Sequence, residues 1–372
     1  MKTADELVQV VALSLVENLG PVTFKKLVEE FGSVQAVWEA GKRGLSRLAR
    51  VKKIAANVPR DLGSEAFLDR AAEEIKTAGD HGVEIVTFFD ARYPADLKEI
   101  FDPPILLYVQ GDLPEEGLPE IAVIGSREAS LYGARMARSI ARGLAAAGAA
   151  VVSGMARGVD SQAHEGALEA DGVTVAVLGG GLSRLYPPEN RRLAARIAKK
   201  GAVISEYPMR RFPEPGNFPV RNRIISGLSR AVVVVEAREK SGALITVDAA
   251  LEQGRDVFAV PGNADSARSR GTNRLLKQGA KLAESAEDIL EELGLQKIGT
   301  ARAGVSGKQN PRAEVLTEAE RSVLSFFDSE PLSADELVDK SGLAASQVVG
   351  TLLSLEMKRR VRKEPGNFFV KR

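Results

Sequence analysis

The chain has 372 residues, of which 44% are hydrophobic and 27% are charged, and its formal net charge is +1. This composition is typical of soluble proteins, and the length accommodates two or three domains. Cysteine is absent and histidine occurs twice, which excludes disulfide frameworks, thiolate metal sites and cysteine nucleophiles. Few catalytic or metal-binding options therefore remain, and we predict no catalytic residue, no metal site and no cofactor.

Residues 1–80 predict a small helical domain. The apolar spacing in ELVQVVALSLVENL and in TFKKLVEEFGSVQAVWEA is typical of amphipathic helices, and LGPV separates the two. Asp5 and Glu6 precede the first apolar run and Glu17 ends it, so we expect neither a signal peptide nor a membrane span. The expected location is the cytoplasm, with no membrane partner.

Residues 81–295 predict a second, larger domain. Short apolar runs alternate here with helical segments, and the runs are EIVTFF, ILLYVQG, IAVIG, AAVVSG, VTVAVLG, GAVISE, AVVVVEA and DVFAVPG. Near-continuous Val and Ile are typical of strands buried on both faces. The predicted fold class is α/β, with a Rossmann-like, doubly wound and mostly parallel sheet whose ligands meet the C-terminal ends of the strands.

The C-terminal part of the chain predicts a linker and a third domain. Residues 296–313 are rich in Gly, Ser, Lys and Arg without apolar periodicity, which favours a flexible linker. Residues 314–372 contain two capping-box patterns, TEAE from Thr317 and SADE from Ser333, then a third helix and a hairpin around PGN. This order predicts a winged helix. Its third helix lacks an early Arg or Asn, so we do not expect sequence-specific duplex recognition.

The first strand of the parallel region ends in Gly125, Ser126 and Arg127. In a dinucleotide-binding fingerprint, the position of Arg127 is a glycine that lets the pyrophosphate approach the backbone. An arginine fills that space, but it offers a charged fork to a phosphate outside the loop. These residues alone also allow a plain strand-to-helix turn with an exposed arginine.

Basic residues concentrate in the segment that contains several of the later strand ends. Residues 184–240 hold 13 Lys and Arg against 5 Asp and Glu, a local excess of eight positive charges. Phe212 and Phe218 alternate there with arginines, the combination that unstacked bases and their phosphates require. The segment therefore predicts an anionic partner. A solvated basic surface, with Phe218 packed as a loop anchor, is the alternative.

Four motifs together resemble the DNA-processing protein A (DprA, or Smf) family of bacteria. They are GSR at 125–127, SGMARGVD at 153–160, FPVRNRIISGLS at 218–229 and SGALITVDAALEQGRDVFAVPG at 241–262. The resemblance implies a non-enzymatic recombination mediator that binds single-stranded DNA, forms a homodimer and loads RecA recombinase onto incoming DNA in natural transformation. It further implies a sterile-alpha-motif-like fold for residues 1–80 and a dimer surface over about 255–290.

The same resemblance implies which residues contact single-stranded DNA. They are Gly125, Ser126, Arg127, Ser153, Gly154, Arg157, Gly158, Phe218, Arg221, Asn222, Arg223, Ser241, Gly242 and Thr246. Arg157 ranks below Arg127 in this set. We expect Asp160 to order its turn or cap its helix, and His164 to be a structural histidine, because no Ser or Cys nucleophile motif accompanies it.

The main alternative function is a nucleotide-processing enzyme of the phosphoribohydrolase type, which has a related sheet and a PGGxGT motif. This chain has PG at 261–262 and GT at 271–272, separated by eight residues, which is too far for one tight phosphate turn. A protein adaptor with an incidental basic face is a further alternative.

Overall fold

The structure, a computed structural model, describes residues 4–42, 58–295, 318–327, 332–357, 361–364 and 368–371. The chain divides into two compact units, residues 1–304 and 305–372. The linker predicted over 296–313 lies outside the described residues, as does Thr317, which begins the first predicted capping box.

A nine-stranded sheet forms the centre of the first unit. Its strands are β1 (Glu84–Thr87), β2 (Leu106–Gly111), β3 (Glu120–Ile124), β4 (Ala150–Ser153), β5 (Thr174–Val177), β6 (Ala202–Ser205), β7 (Ala231–Val234), β8 (Asp256–Ala259) and β9 (Lys281–Leu282). The spatial order is β1-β2-β6-β5-β4-β3-β7-β8-β9. β2 pairs antiparallel with both β1 and β6. In the rest of the sheet, β6, β5, β4, β3, β7, β8 and β9 are all parallel to one another. The predicted α/β class and mostly parallel sheet are confirmed.

Helices cover both faces of this sheet. They are α6 (Ala95–Lys98), α7 (Leu131–Ala146), α8 (Val159–Glu169), α9 (Arg191–Ile197), α10 (Asn217–Leu228), α11 (Gly242–Glu252), α12 (Arg270–Lys277) and α13 (Ala286–Glu292). Ile121 and Val123 of β3 pack in the layer of α7, α8 and α13, whereas Ala122 and Ile124 pack in the layer of α10, α11 and α12. Because successive side chains of a strand point to opposite faces, a strand buried on both faces must be apolar throughout.

The chain reverses its direction of travel across the sheet next to β3. From β3 it moves outward through β4, β5 and β6, and then returns to form β7 on the other side of β3. The two connections leave β3 and β7 in opposite directions, so a crevice opens at the carboxyl ends of these two strands. The residues that follow β3 and β7 therefore line the crevice.

The N-terminal helices share a core with the antiparallel edge of the sheet. They are α1 (Ala4–Ser14), α2 (Pro21–Phe31), α3 (Val34–Lys42), α4 (Val58–Asp61) and α5 (Glu65–Asp80). α2 begins at the proline of LGPV and ends before Gly32, whose φ of 84° suits the left-handed C-cap. Their buried side chains, Trp38 among them, pack with Leu106 and Tyr108 of β2.

The second unit contains three helices and a small sheet. The elements are α14 (Glu318–Ser325), β10 (Leu332–Ser333), α15 (Ala334–Ser341), α16 (Ala345–Met357), β11 (Val361–Glu364) and β12 (Phe368–Lys371), with strand order β10-β12-β11. The predicted capping box forms at the start of α15, where Ser333 N–H donates to Glu336 Oε2 at 2.8 Å and Glu336 N–H donates to Ser333 Oγ at 3.2 Å. This arrangement is a winged helix, as predicted.

Candidate functional site

An open cleft of about 700 Å³ lies at the crevice between the ends of β3 and β7. Most of its lining comes from three segments, which are residues 124–128 at the end of β3, part of 213–225 before and at the start of α10, and part of 238–246 after β7. Ala156, Asp160 and Tyr186 complete it. The structure brings nine of the predicted DNA-binding residues together in this lining. They are Gly125, Ser126, Arg127, Phe218, Arg221, Asn222, Ser241, Gly242 and Thr246.

One stripe of α10 faces the cleft. Phe218, Arg221, Asn222 and Ile225 all line it, and their spacing of three, four and seven residues is that of a single helix face. Because this helix begins beside the cleft, its first two turns present an aromatic ring, a guanidinium and a carboxamide to the same space.

Arg127 lies over the ring of Phe218. The distance from the guanidinium carbon to the ring centroid is 5.0 Å, which is within cation–π range. Phe218 is half-buried and Arg127 is exposed. Among the described residues no carboxylate forms an ion pair with Arg127, so its donors remain available to an anion. The pair therefore offers an apolar face and a charged fork side by side.

Arg221 also approaches the Phe218 ring, with its guanidinium carbon 5.8 Å from the centroid, but it is only 3% exposed. Its Nη1 donates to the carbonyl of Gly154 at 2.8 Å and to the carbonyl of Val177, so it fixes α10 to the ends of β4 and β5. Burial lowers the pKa of Arg221 to about 10; the Asp160 carboxylate opposes this shift and the Arg127 guanidinium adds to it. Arg221 is thus charged at neutral pH, and an anion beside Arg127 would relieve the repulsion between the two cations.

A buried carboxylate occupies the start of α7, where a dinucleotide fold would hold a pyrophosphate. Ser130 N–H donates to Glu236 Oε2 at 2.8 Å, and Glu236 is 4% exposed. A Cβ on Gly133, in the first turn of α7, would lie 2.6 Å from the same oxygen. The partial positive charge of this helix start is therefore already neutralised by the protein. This excludes a cofactor pyrophosphate at α7, in agreement with the sequence argument from Arg127.

The start of α11 is open to the cleft instead. Ser241 is the N-cap and its Oγ accepts from Ala243 N–H at 3.3 Å. Gly242 is exposed, and a Cβ there would meet no atom within 4 Å. The Gly242 N–H has no hydrogen-bond partner among the described residues, and such a group at the start of an 11-residue helix attracts anions through hydrogen bonding and the helix dipole. We conclude that α11 supplies the helix N-terminus of this site.

Arg223 lies away from the cleft, although sequence reasoning grouped it with Arg221. Its Nη2 donates to Glu206 Oε2 at 2.7 Å and its Nε donates to Asp102 Oδ2 at 2.9 Å. Only 11% of the side chain is exposed. Both ends of the guanidinium are therefore held by carboxylates. The structure gives Arg223 a structural role in the α10 side of the core.

The residues predicted after β4 also lie outside the cleft lining. Ser153 is fully buried and donates to the carbonyl of Val123 at 2.7 Å, which joins β4 to β3. Gly154 is the acceptor for Arg221. Gly158 has a φ of 75°, and a Cβ there would lie 2.3 Å from Ser126 O, so this turn must approach the GSR loop as glycine. Arg157 is exposed and paired with Glu189.

Comparison with known proteins identifies the family. A family model described as DNA recombination-mediator protein A matches residues 84–294. The chain belongs to this family, DprA/Smf. A second model, described as the DprA winged helix domain, matches residues 307–367.

Individual DprA and Smf proteins resemble the chain over most of its length. Protein Smf of Synechocystis sp. is 35% identical, over 97% of this chain and 98% of its own. The X-ray structure of DprA from Streptococcus pneumoniae has a TM-score of 0.64 and 34% identity, and the match covers 78% of this chain and 99% of that one. A structure that concerns the single-stranded DNA binding mode of DprA from Helicobacter pylori has a TM-score of 0.50 and 31% identity, over 56% and 95% of the two chains.

Three further cleft residues of this DprA-family chain escaped the sequence prediction. Arg238 and Lys240 lie four and six residues after the end of β7, so the rule that ligands meet the C-terminal ends of parallel strands could have found them. Arg238 is paired with Glu128 at 3.0 Å, whereas Lys240 has no ion-pair partner among the residues that the structure describes. Tyr186 lies with its ring centroid 6.2 Å from that of Phe218 and is 43% exposed. It extends the aromatic surface of the cleft.

Asp160 lines the cleft, whereas His164 lies inside the DprA fold. Asp160 Oδ2 accepts from Ala156 N–H at 3.2 Å and so orders the turn before α8, as expected. His164 is fully buried, with 2.7 Å between its Nδ1 and Thr174 Oγ1. Thr174 already donates its proton to the Val151 carbonyl, so the histidine Nδ1 must carry the proton. Burial, and then the Arg221 charge, lower the pKa of His164 to about 3. The imidazole is therefore neutral and out of reach of the cleft.

The segment 261–272, which contains the separated PG and GT pairs, forms hydrogen bonds within the protein at both of its glycines. Gly262 N–H donates to Asn273 Oδ1 at 3.2 Å, and Asn273 Nδ2 donates back to the Gly262 carbonyl at 2.9 Å. Gly271 N–H donates to the Ala237 carbonyl at 2.8 Å. The N–H groups of Gly262 and Gly271 are thus both engaged within the protein, which agrees with the spacing argument against this enzyme.

No helix in the described part of the chain has the length and apolar character needed to cross a membrane.

Proposed function

We propose that this protein binds single-stranded DNA in the cleft between β3 and β7. The observation that carries the proposal is the Arg127–Phe218 pair at 5.0 Å beside the open start of α11. A single strand exposes both base faces and phosphates, and each base stacked on an aromatic side chain contributes about 1–3 kcal/mol. Arg127, Lys240 and the amide of Gly242 are positioned to contact phosphates on either side of such a base.

The proposal favours a single strand over a duplex. In a duplex the bases are stacked on one another and their faces are closed to Phe218, so only phosphate contacts would remain. The family resemblance and the relative from Helicobacter pylori, whose structure concerns single-stranded DNA, support the same choice.

We further propose that binding is the activity, without a chemical step. His164, which follows the turn between β4 and α8, is buried and neutral. The Asp160 carboxylate accepts a hydrogen bond from the backbone of that turn. The product would be a protein–DNA complex that a cytoplasmic homodimer delivers to RecA recombinase. Family membership supports these partners, and the exposed Leu282 on edge strand β9, within 255–290, is consistent with a dimer surface there.

Fluorescence anisotropy of labelled oligo-dT, with a matched duplex as competitor, tests the proposal. We expect tight binding to the single strand, weaker binding to the duplex, and a logarithmic salt slope of about −0.7 for each phosphate neutralised. Equal weak binding to both, or a salt-independent signal, would contradict the proposal. Mass measurement by light scattering on the same sample would report whether the DNA-binding species is a dimer.

A further inference from the structure

Outside the cleft, Phe212 presents an aromatic ring to solvent. It is 61% exposed, and the guanidinium carbon of Arg184 lies 4.7 Å from its ring centroid. Single exposed apolar side chains are common on protein surfaces, so exposure alone does not mark a site; what singles out Phe212 is the arginine over its ring. The arrangement repeats the Arg127–Phe218 pair of the cleft at a second position.

The chain connects this second pair directly to the cleft. Tyr186 and Pro213 both line the cleft, and they lie two residues after Arg184 and one residue after Phe212. A chain segment of two residues spans at most about 7 Å, so the pair lies close to the cleft rim. A DNA strand that leaves the cleft past Tyr186 would therefore contact Phe212 next.

Backbone hydrogen bonds fix the two segments side by side. Gly181 N–H donates to the Arg211 carbonyl at 2.9 Å, and Ser183 N–H donates to the Met209 carbonyl at 3.1 Å. Asn217 Nδ2 donates to the Phe212 carbonyl at 3.4 Å, which joins the loop to the start of α10. The ring is thus held on an ordered backbone, and stacking a base on it costs little ordering of the chain.

Charge distinguishes Arg184 from its basic neighbours. Arg210 is paired with Glu73 at 3.6 Å and Arg211 with Glu214 at 3.1 Å. Arg184 is exposed, and in the described ranges no carboxylate forms an ion pair with it. Its donors are therefore available to a phosphate, as those of Arg127 are.

We propose that Phe212 and Arg184 form a second stacking site, which holds one base and its phosphate where the DNA strand leaves the cleft. The inference rests on the proposed function and deepens it, because it extends the path of the strand from Phe218 past Tyr186 to Phe212. It follows that the protein covers more nucleotides than the cleft alone can hold, and that affinity rises in a step when the oligonucleotide becomes long enough to reach Phe212.

A length series of oligo-dT from two to twelve nucleotides tests this site in the full-length protein. We compare the wild type with Phe212→Ala, Phe212→Trp and Arg184→Gln, and with Phe101→Ala, an 83% exposed phenylalanine that does not line the cleft. Phe212→Ala should lose about 5- to 100-fold in affinity for the long oligonucleotides and little for the shortest ones. Phe212→Trp should retain or improve the affinity, Arg184→Gln should reduce the salt slope by about 0.7, and Phe101→Ala should behave as the wild type.

The outcomes separate this inference from the proposed function. If the wild type binds oligo-dT and Phe212→Ala binds it equally well at all lengths, the second stacking site is wrong. The proposed binding of single-stranded DNA in the cleft is then unaffected. An equal loss at all lengths, including the shortest, also overturns it, because Phe212 would then act by supporting the cleft wall. Absence of oligo-dT binding by the wild type would overturn the proposed function, and the second site with it.

Discussion

Arg221 and Arg223 differ in role because they lie two positions apart on α10. Two residues separated by two positions on a helix are about 200° apart around its axis, so they point to opposite sides. Arg221 therefore faces the cleft with Phe218, and Arg223 faces Glu206 and Asp102. Sequence alone could have separated them, since Arg221 lies three positions after Phe218 and so on its helix face, whereas Arg223 lies five positions after it.

Replacing Arg127 by alanine should weaken single-strand binding without affecting the fold. The guanidinium is exposed and unpaired among the described residues, so its loss removes an anion contact and leaves no buried charge behind. We expect about a tenfold or greater loss in affinity for oligo-dT and a salt slope smaller by about 0.7. Arg138→Ala, which removes an exposed arginine paired with Glu169 outside the cleft, is the matched control. Wild-type affinity in folded Arg127→Ala would contradict the cleft.

Replacing Arg223 by alanine should destabilise the fold instead. The change leaves Glu206, whose side chain is 14% exposed, without its partner, and breaking a buried ion pair in this way costs about 3–5 kcal/mol. Urea unfolding measures the loss in the free energy of unfolding. The folded fraction should bind oligo-dT close to normally, so wild-type stability combined with lost binding would show that Arg223 contacts DNA after all.

His164 should make the stability of the protein depend on pH. Its pKa is about 3 in the folded protein against an ordinary 6.5, so between these values the unfolded chain binds more protons and stability falls as pH falls. The loss approaches about 1.4 kcal/mol for each pH unit below 6.5, or about 2 kcal/mol at pH 5. His164→Gln should lose this component of the pH dependence, whereas His81→Gln, at the exposed second histidine, should keep it. Thermal unfolding at pH 5 and pH 7 compares the three proteins, and equal pH dependence in all of them would contradict the assignment.

At the scale of elements, the sequence predicted the strands, but it did not predict which helix N-terminus is occupied by a carboxylate of the protein. Eight short, mainly apolar runs were predicted as strands and all eight form, because most of these strands are buried on both faces and so are nearly continuous in apolar residues. β9 was missed because it has two residues, Lys281 and Leu282. Glu236 neutralises the start of α7 from a position 106 residues away from Ser130, and no local pattern reports such a contact. The family motifs pointed to Ser241 and Gly242 at the start of α11, but local sequence could not predict that a buried carboxylate occupies the start of α7.

Adding a negative charge at the start of α11 should lower the affinity for DNA without lowering the stability of the fold. In Gly242→Asp the new carboxylate lies at the first position of the helix, where it interacts favourably with the helix dipole by about 0.3–1 kcal/mol. The same charge faces the cleft and repels phosphate, so affinity for oligo-dT should fall while the melting temperature is unchanged or rises. Gly242→Ala is the control, since a Cβ there meets no atom within 4 Å. Unchanged affinity in Gly242→Asp would remove α11 from the binding site.

At the scale of the whole molecule, the DNA-binding residues that we propose all lie in the unit of residues 1–304. That unit has its own cores, including the one that the N-terminal helices share with β2. The second unit has a separate core around Leu337, Leu352 and Phe369. Each unit therefore has the buried apolar surface that independent folding requires.

Removal of residues 305–372 should leave most of the single-strand affinity intact. Helix α16 of the winged helix exposes Gln347, Val349 and Gly350 in its first turns and has no arginine or lysine within Ala345–Met357, so it lacks the charged readers that bind phosphate or guanine. The truncated protein should bind oligo-dT within a few-fold of the full chain and keep its salt slope, because the phosphate contacts are in the cleft. Anisotropy on both proteins, with circular dichroism to verify folding, makes the comparison. Loss of most of the affinity in a folded truncated protein would move the principal DNA contact to the winged helix, and Arg127→Ala would then have little effect in the full chain.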